Sequence, residues 1–250
     1  MELKGVSLTA LGAAFIRGYH AIYDNVRIFD DSLGYSLLTK EERSTIAQHW
    51  IMRLQSVDPP GAASCPDEVG AIARALQLWS AAPTVLSRAR YTEDAFCKAF
   101  AQGTRQYVIL GAGMDTFAFR QREMLEELQV FEVDHPATQT FKVQRIKELG
   151  WKIPSRLHFV PLDLANEDLD TILTHRPYDL CALTFFSWLG VTYYLPPNSI
   201  FSNLRTIAKI SPPGSAVVFD YFDPIDLNCT GKAGERLRGI WIPWKNWGSL

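Results

Sequence analysis

The sequence predicts an α/β protein in which a helical N-terminal region precedes a parallel sheet with helices between its strands. Two observations support this fold class. Apolar residues recur at helical spacing up to residue 103, and short β-rich runs alternate with amphipathic stretches from Gln106 onward. We therefore expect a helical region over residues 1–103 and an α/β core over residues 104–250 that forms one structural unit.

In the helical region, apolar residues fall at the spacing of one helix face. The first series is Leu8, Leu11, Phe15, Ile16 and Tyr19, and a later one is Ile72, Leu76 and Trp79. Between them, residues 58–61 and 64–67 have turn chemistry, and Pro66 before two acidic residues is typical of a helix start. Pro83 starts or kinks the next helix, which we expect to run to Phe100.

The α/β core contains β-rich runs separated by stretches that are long enough to form crossover helices. The expected strands are 107–110, 130–133, 157–161, 180–186 and 216–221, and the expected helices are 117–128, 136–149, 166–174 and 198–209. The strands are almost continuously apolar, which is typical of a parallel sheet covered on both faces.

Composition narrows the class of function. The chain has 250 residues, of which 47% are hydrophobic, and a formal net charge of −2. Its basic residues are scattered, so we do not expect a nucleic acid as a partner. The four cysteines lie 32, 84 and 48 positions apart, without the close pairs of a zinc site or redox dithiol. We expect free thiols and no metal.

Two apolar segments raise the question of export or membrane insertion. Residues 6–16 are apolar, but acidic Glu2 stands where a signal peptide carries positive charge, so we expect retention in the cytoplasm. Residues 180–204 carry no charged side chain, but Pro196 and Pro197 interrupt them before the ~20 residues that a spanning helix needs. We expect a buried strand that leads into an active-site loop, and no membrane contact.

A glycine turn follows the first predicted strand. Gly111 and Gly113 would let the backbone approach a nucleotide-like ligand closely, although such a turn can also be purely structural. The dinucleotide fingerprint requires a third glycine where this chain has Thr116, and acidic Asp115 in the turn would repel a pyrophosphate.

Acidic residues follow the next two strands. Asp134 could accept both ribose hydroxyls of an adenosine or cap the following helix, and Asp163 could bond an adenine amino group or cap a turn. Together with Asp115, these acids favour an adenosine ligand that carries a positive charge, such as S-adenosylmethionine. Arg90 is a candidate partner for the carboxylate of that ligand, although it could equally lie on a solvated helix face.

Several ordered segments resemble the leucine carboxyl methyltransferase-like family of class I S-adenosylmethionine-dependent methyltransferases, in particular its microbial O-methyltransferase subgroup. The matching segments are 28–33, 88–94, 106–116, 131–136, 159–164 and 186–195, within a span of roughly residues 8 to 224. The resemblance implies a Rossmann-like sheet with an N-terminal helical cap that forms a lid and much of the acceptor pocket.

The resemblance also implies roles for individual residues. Arg90 would bind the methionine carboxylate of the cofactor, Gly111 and Gly113 would shape its pocket, and Asp134 would bind its ribose. Asp163 and Leu164 would frame the adenine. Many members carry a glutamate where this chain has Leu189, so Ser187 or Trp188 could replace that contact.

The expected reaction is in-line transfer of a methyl group to a carboxylate or hydroxyl of a small or medium acceptor. A hydroxyl acceptor gains from a general base and a carboxylate needs none. The candidate bases are His20, Tyr193, Tyr194 and His135. Phe15, Tyr19 and Tyr23 suggest an apolar acceptor. The alternatives are a methyltransferase-like protein without transfer activity, which binds the cofactor or a partner, and an NAD(P)-dependent oxidoreductase.

The end of the chain carries a separate expectation. The family's sheet is normally closed by an antiparallel hairpin, which is missing or truncated in the sequence after Pro224. Residues 217–219 would then form an exposed edge, covered by Trp241, Trp244 and Trp247 or used for a homodimer contact. We expect removal of residues 238–250 to cause aggregation.

Overall fold

A computed structural model describes residues 6–78, 81–174 and 177–221. The chain divides into two compact units, and the division falls within one long helix, between Arg88 and Ala89. Residues 8–88 belong to a helical unit, and residues 89–221 belong to a unit built around a sheet.

The helical unit forms where the sequence predicts helices, with one difference at its centre. Its helices are α1 (Leu8–Tyr23), α2 (Ser32–Ser36), α3 (Lys40–Val57), α4 (Pro59–Ala63), α5 (Glu68–Leu78) and the first part of α6 (Ala81–Ala101). Residues 58–61, predicted as a turn, instead open α4. Asp58 accepts a hydrogen bond from Gly61 N, and Pro59 occupies the first helical position, where a missing N–H costs nothing.

The second unit is a five-stranded, fully parallel sheet with strand order β3-β2-β1-β4-β5. The strands are β1 (Gln106–Leu110), β2 (Gln129–Asp134), β3 (Leu157–Pro161), β4 (Thr184–Trp188) and β5 (Ala216–Phe219). The connecting helices are α7 (Phe117–Arg120), α8 (Pro136–Glu148), α9 (Leu169–Thr174) and α10 (Pro197–Ile210). The predicted α/β, Rossmann-like class is confirmed.

The two largest differences from the predicted boundaries lie at β4 and α7. β4 begins at Thr184, four residues late, because Asp179 accepts a hydrogen bond from Cys181 N at 2.8 Å and turns the chain there. The predicted helix 117–128 is only α7 followed by a 3₁₀ turn at Met124–Glu126.

Two apolar layers hold the strands. Paired residues of parallel strands share a face, and Val108, Phe131 and Phe186 pack on one face with residues of α9 and α10. On the other face the Tyr107 ring stacks on Phe96 of α6, with the ring centroids 4.7 Å apart. The strands are therefore packed on both faces, which fixes the position of their carboxyl ends.

The segment 180–204 forms a turn, the buried strand β4, a 3₁₀ turn and the first half of α10. Within the described ranges, no helix combines the length and apolar character that a membrane crossing requires. Among the described strands β5 lies at one edge, and its Phe219 is 39% exposed. The expected missing hairpin, the three tryptophans and residues 238–250 lie outside the described residues.

Candidate functional site

The glycine turn after β1 folds back onto the end of β2. Gly111 and Gly113 have φ values of +68° and +51°, a region that other residues adopt only with strain. Gly111 N and Ala112 N both donate to the Val133 carbonyl, at 2.7 and 3.2 Å. Gly113 N donates to the carboxylate of Asp134. The turn is thus attached to β2 by three backbone N–H groups.

Asp134 connects three strand ends. Its carboxylate accepts Gly113 N through Oδ2 and its own neighbour, His135 N, through Oδ1 at 2.6 Å. Its carbonyl accepts Leu162 N at 2.8 Å, which attaches the exit of β3. Burial raises the pKa of Asp134, and the two N–H groups oppose that rise. The carboxylate therefore lies where the ends of β1, β2 and β3 meet.

The structure excludes one of the two interpretations of Asp134, that it caps the following helix. His135, not Asp134, is the N-cap of α8, and its Nδ1 accepts Ala137 N at 3.3 Å. The Asp134 side chain faces the glycine turn instead of the helix.

Asp163 lies next to this junction and caps a turn, as its alternative interpretation predicts. Its Oδ1 accepts Ala165 N at 3.0 Å and its Oδ2 accepts the amide of Asn166 at 2.8 Å. The Asn166 amide is the main group that lowers the pKa of Asp163. Leu164 is buried in the apolar cluster under the sheet.

Arg90 lies on α6, in the sheet unit. Its Nε donates to both carboxylate oxygens of Asp94, at 2.9 and 2.8 Å, and both side chains are about half exposed. On the same helix Glu93 forms a two-contact ion pair with Arg120, whose Nε also donates to Thr116 Oγ1 at 2.9 Å. Glu93 thereby attaches α6 to the helix that follows the glycine turn.

The end of β4 is bound to both of its neighbours. Ser187 is buried and accepts the Tyr107 hydroxyl at 3.0 Å. Gly190, with φ +74°, donates its N–H to the Asp220 carboxylate at 2.7 Å. A Cβ added to Gly111 would lie 2.2 Å from Cγ2 of Val191, so the glycine turn and the β4 loop are in direct contact.

The sequence analysis missed the roles of Val191 and Asp220. Asp220 follows the apolar strand β5 as Asp134 ends β2, and that pattern could have revealed it. Trp188 is fully buried, and its indole N–H has no hydrogen-bond partner among the described residues.

The candidate bases lie in different environments. His20 is buried in the helical unit, where its Nε2 accepts Ile28 N at 2.8 Å and its Nδ1 lies 2.5 Å from Asp24. Because a backbone N–H can only donate, the ring proton resides on Nδ1 and both nitrogens are occupied. Tyr193 and Tyr194 follow β4 in a 3₁₀ turn, where Tyr194 is 54% exposed.

The N-terminal aromatic residues are divided between core and surface. Phe15 and Tyr19 are buried in the helical unit, and the Tyr19 hydroxyl donates to the Val69 carbonyl at 2.6 Å. Tyr23 is 45% exposed. Tyr23 is therefore the one of these three predicted acceptor-pocket residues with a substantial free surface.

A buried ion pair lies on the same strand as Asp134. Glu132 of β2 contacts the ammonium group of Lys142 of α8, and each side chain is 1% exposed. Burial raises the pKa of Glu132 to about 7. A glutamate within an apolar strand was the signal in the sequence. It was missed because only acidic residues at strand ends were considered as site residues.

The polar groups of Asp134, the glycine turn and Arg90 are of the kinds that bind a nucleoside with an amino acid group. Asp134 retains a second lone pair on each carboxylate oxygen for hydroxyl donors, the glycine turn exposes backbone without side chains, and Arg90 offers a guanidinium. Within the described part of the chain, no group of three or more His, Cys, Asp and Glu residues could hold a metal ion. Cys65, Cys97 and Cys181 are free thiols, and Cys229 lies outside the described residues.

Comparison with known proteins gives one family. Residues 10–208 match the sequence profile described as "Leucine carboxyl methyltransferase". A Bacillus subtilis (strain 168) protein named "Putative S-adenosyl-L-methionine-dependent methyltransferase YktD" is 39% identical over 236 residues, which cover 94% of this chain and 77% of the relative. A Saccharopolyspora erythraea protein of the same description is 30% identical over 87% of this chain and 68% of its own length.

One more relative matches a shorter part of this chain, and a solved structure aligns with it at low identity. A Mycobacterium marinum protein of that description is 35% identical over 62% of this chain, and the match spans 50% of its length. Among solved structures, the apo form of the S-adenosylmethionine-dependent methyltransferase SibL aligns over 85% of this chain and 64% of its own, with a TM-score of 0.44 and 15% identity.

Proposed function

Because the chain belongs to the leucine carboxyl methyltransferase family, we propose that it is an S-adenosylmethionine-dependent methyltransferase that methylates an oxygen atom of a small or medium acceptor. The observation that carries this proposal is the junction at Asp134, where the glycine turn, β2 and β3 are joined around one half-buried carboxylate. The junction forms through backbone groups, so the site is organised before a ligand binds.

The polar groups proposed to contact the cofactor can still form a hydrogen bond or exchange a weak ion pair. Asp134 accepts the two ribose hydroxyls, one on each oxygen. Arg90 exchanges its surface partner Asp94 for the carboxylate of the cofactor, an exchange that costs little because exposed ion pairs are weak. Asp163 and Leu164 border the adenine, and Ser187, already occupied by Tyr107, supports the floor of the site.

The cofactor supplies a methyl group on a sulfonium that is already an activated leaving group. The protein then has to align the acceptor and exclude water, and positioning of this kind can contribute roughly 7 to 11 kcal/mol. Because both nitrogens of His20 are occupied, our preferred acceptor is a carboxylate, which is ionised at neutral pH and needs no base. A hydroxyl acceptor would use Tyr193 or Tyr194.

Calorimetric titration with S-adenosylmethionine tests the site. We expect Asp134→Asn to weaken binding roughly 10- to 150-fold, since at least one hydrogen bond to a charged group is worth about 1.5–3 kcal/mol. Asp168→Asn, at an exposed aspartate after β3, is the matched control and should bind as the wild type does. No binding by the wild type at high micromolar cofactor would refute the proposal.

The acceptor class has its own assay. The protein is incubated with methyl-labelled cofactor and a panel of carboxylic acids and phenols, and the products are treated with mild alkali. A methyl ester releases volatile labelled methanol under these conditions and a methyl ether does not. Label that stays with the product would show that the acceptor is a hydroxyl and not a carboxylate.

A further inference from the structure

Three side chains from different helices meet in the helical unit, and we call them the Arg43 cluster. The rings of Tyr23, at the end of α1, and Tyr35, in α2, lie edge to face with their centroids 6.4 Å apart. Arg43 of α3 holds its guanidinium carbon over the Tyr35 ring, 4.6 Å from the centroid. This distance is within the range of a cation–π contact. The cluster therefore combines a cation, two hydroxyls and two aromatic rings.

The charge of Arg43 has no carboxylate partner among the described residues. Arginines elsewhere in the unit pair with aspartates, as Arg17, Arg27 and Arg74 do. Arg43 instead donates through Nε to the Thr39 carbonyl at 3.3 Å, and its two terminal nitrogens retain four N–H donors. The side chain is half-buried, with the Tyr35 ring on one side of the guanidinium. Such a guanidinium is suited to bind an anion.

The two tyrosine hydroxyls supply one further donor. They are hydrogen-bonded to each other, and neither has another hydrogen-bond partner among the described residues. Two hydroxyls carry two protons, and the bond between them uses one, so one proton remains for an acceptor. Tyr19, which packs against Tyr23, differs because its hydroxyl donates to the Val69 carbonyl.

The surface on this side of the helical unit is apolar. Tyr23 is 45% exposed, so its ring can pack against a ligand. The loop between α1 and α2 exposes two apolar side chains, Val26 and Ile28. Asp24 and Glu68 have charges that act on the neighbouring tyrosines, and both would repel a ligand with two negative charges. These surroundings favour an apolar ligand with a single negative charge.

We propose that Arg43, Tyr23 and Tyr35 form a binding site for an aromatic monocarboxylate. The ligand carboxylate accepts two N–H groups of Arg43, whose planar fork matches it in a bidentate geometry, and the remaining tyrosine proton. The ligand ring packs against the exposed side of Tyr23. The inference goes beyond the proposed function and does not depend on it, because all three residues lie in the helical unit.

Calorimetric titration of the full chain with 1-naphthoate, without cofactor, tests the site. We expect saturable binding at millimolar ligand. 1-Naphthamide, which keeps the rings and loses the charge, should bind roughly 10- to 150-fold more weakly. Cyclohexanecarboxylate, which keeps the charge and loses aromaticity, should bind about 2- to 13-fold more weakly. These comparisons use the wild type, so they hold even if a variant folds poorly.

Variants assign the binding to the cluster. Arg43→Gln should weaken 1-naphthoate roughly 10- to 150-fold and leave 1-naphthamide within about twofold, because only the charged ligand needs the guanidinium. Arg43→Lys keeps the charge without the fork and should recover part of the loss. Arg27→Gln is the matched control, since it changes an exposed arginine of the same unit.

Tyr23→Leu separates the ring from the charge. It should weaken 1-naphthoate about 2- to 13-fold through loss of the aromatic contact. Cyclohexanecarboxylate should stay within about twofold, because the Tyr35 hydroxyl, released from Tyr23, still has a proton to donate.

The outcomes separate this inference from the proposed function. Saturable binding of 1-naphthoate that is weakened by Arg43→Gln and not by Arg27→Gln supports the site. No saturable binding at millimolar ligand, equal affinities for acid and amide, or equal losses in the two arginine variants would overturn it. A wild type that binds 1-naphthoate but not S-adenosylmethionine would retain this site and refute the proposed function.

Discussion

Replacement of Gly111 by alanine should destabilise the sheet unit through two separable costs. The first is the backbone cost at φ +68°, about 1–2 kcal/mol for a residue with a Cβ. The second is steric, because the new Cβ would lie 2.2 Å from Cγ2 of Val191 and 3.3 Å from its Cβ. Overpacking of this kind costs about 1–3 kcal/mol. We expect a total of about 2–5 kcal/mol in the free energy of unfolding.

The chain offers a control that isolates the backbone cost. Gly150, at the end of α8, has φ +66°, and a Cβ added there would meet nothing within 4 Å. Gly150→Ala should therefore lose only about 1–2 kcal/mol. The difference between the two variants measures the contact between the glycine turn and the β4 loop.

A second change tests the contact directly. Val191→Ala alone should cost about 1.5 kcal/mol, from loss of about two CH₂ equivalents of buried surface at about 0.8 kcal/mol each. In the Gly111→Ala background, Val191→Ala should instead relieve the clash and recover most of the stability lost to it. The two changes should therefore couple by about 1–3 kcal/mol. Urea denaturation of the wild type, the three single variants and the double variant provides the measurement. Equal costs for Gly111→Ala and Gly150→Ala, or additive effects with Val191→Ala, would refute the reasoning.

Two further predictions concern the candidate cofactor and base residues. Arg90→Gln should weaken the binding of S-adenosylhomocysteine roughly 10- to 150-fold, measured by calorimetry, but leave the affinity for 5′-methylthioadenosine, which lacks the amino acid group, unchanged. Arg122→Gln, at an exposed arginine, is the control. Equal losses of affinity for both ligands would exclude the carboxylate contact. His20→Ala should lower the free energy of unfolding by about 1–3 kcal/mol, because it removes the hydrogen bonds that His20 makes with Ile28 N and Asp24. Cofactor affinity should stay within about twofold of wild type. Unchanged stability with a large loss of methyl transfer would make His20 the general base.

The alternation of strands and helices could be predicted because the strands are almost continuously apolar and the crossover stretches are amphipathic. The errors arose where a local polar group overrides that pattern. The apolar run before β4 extends back to Leu180, but the Asp179 carboxylate turns the chain first. At α4, Asp58 and Pro59 are residues that occur both in turns and at helix starts, and only the contacts made by Asp58 decide between them.

The candidate site was predictable to the extent that it lies at strand ends. In a parallel sheet the carboxyl ends meet at one edge, so Gly111, Asp134 and Asp163 could be grouped from sequence alone. The partners of these residues could not be predicted, because Val191 and Lys142 belong to other elements and approach only through the strand order. Glu132 is the exception, since a glutamate within an apolar strand requires a buried partner wherever the strand lies.

The proposed site has two parts. The position of Asp134 is fixed by contacts at the ends of the strands, and the loop after β4 can vary in sequence beyond its contacts with the sheet. Asp134 is held by the backbone N–H groups of Gly113 and His135, so the position proposed for the ribose depends on the backbone of the glycine turn and of β2. The β4 loop is held at Gly190 by Asp220 and at Val191 by the glycine turn. Thr192 follows these anchors, and its hydroxyl donates to the Asp220 carbonyl. Selection for a new acceptor could therefore change the residues after Thr192 without moving the carboxylate that we propose for cofactor binding.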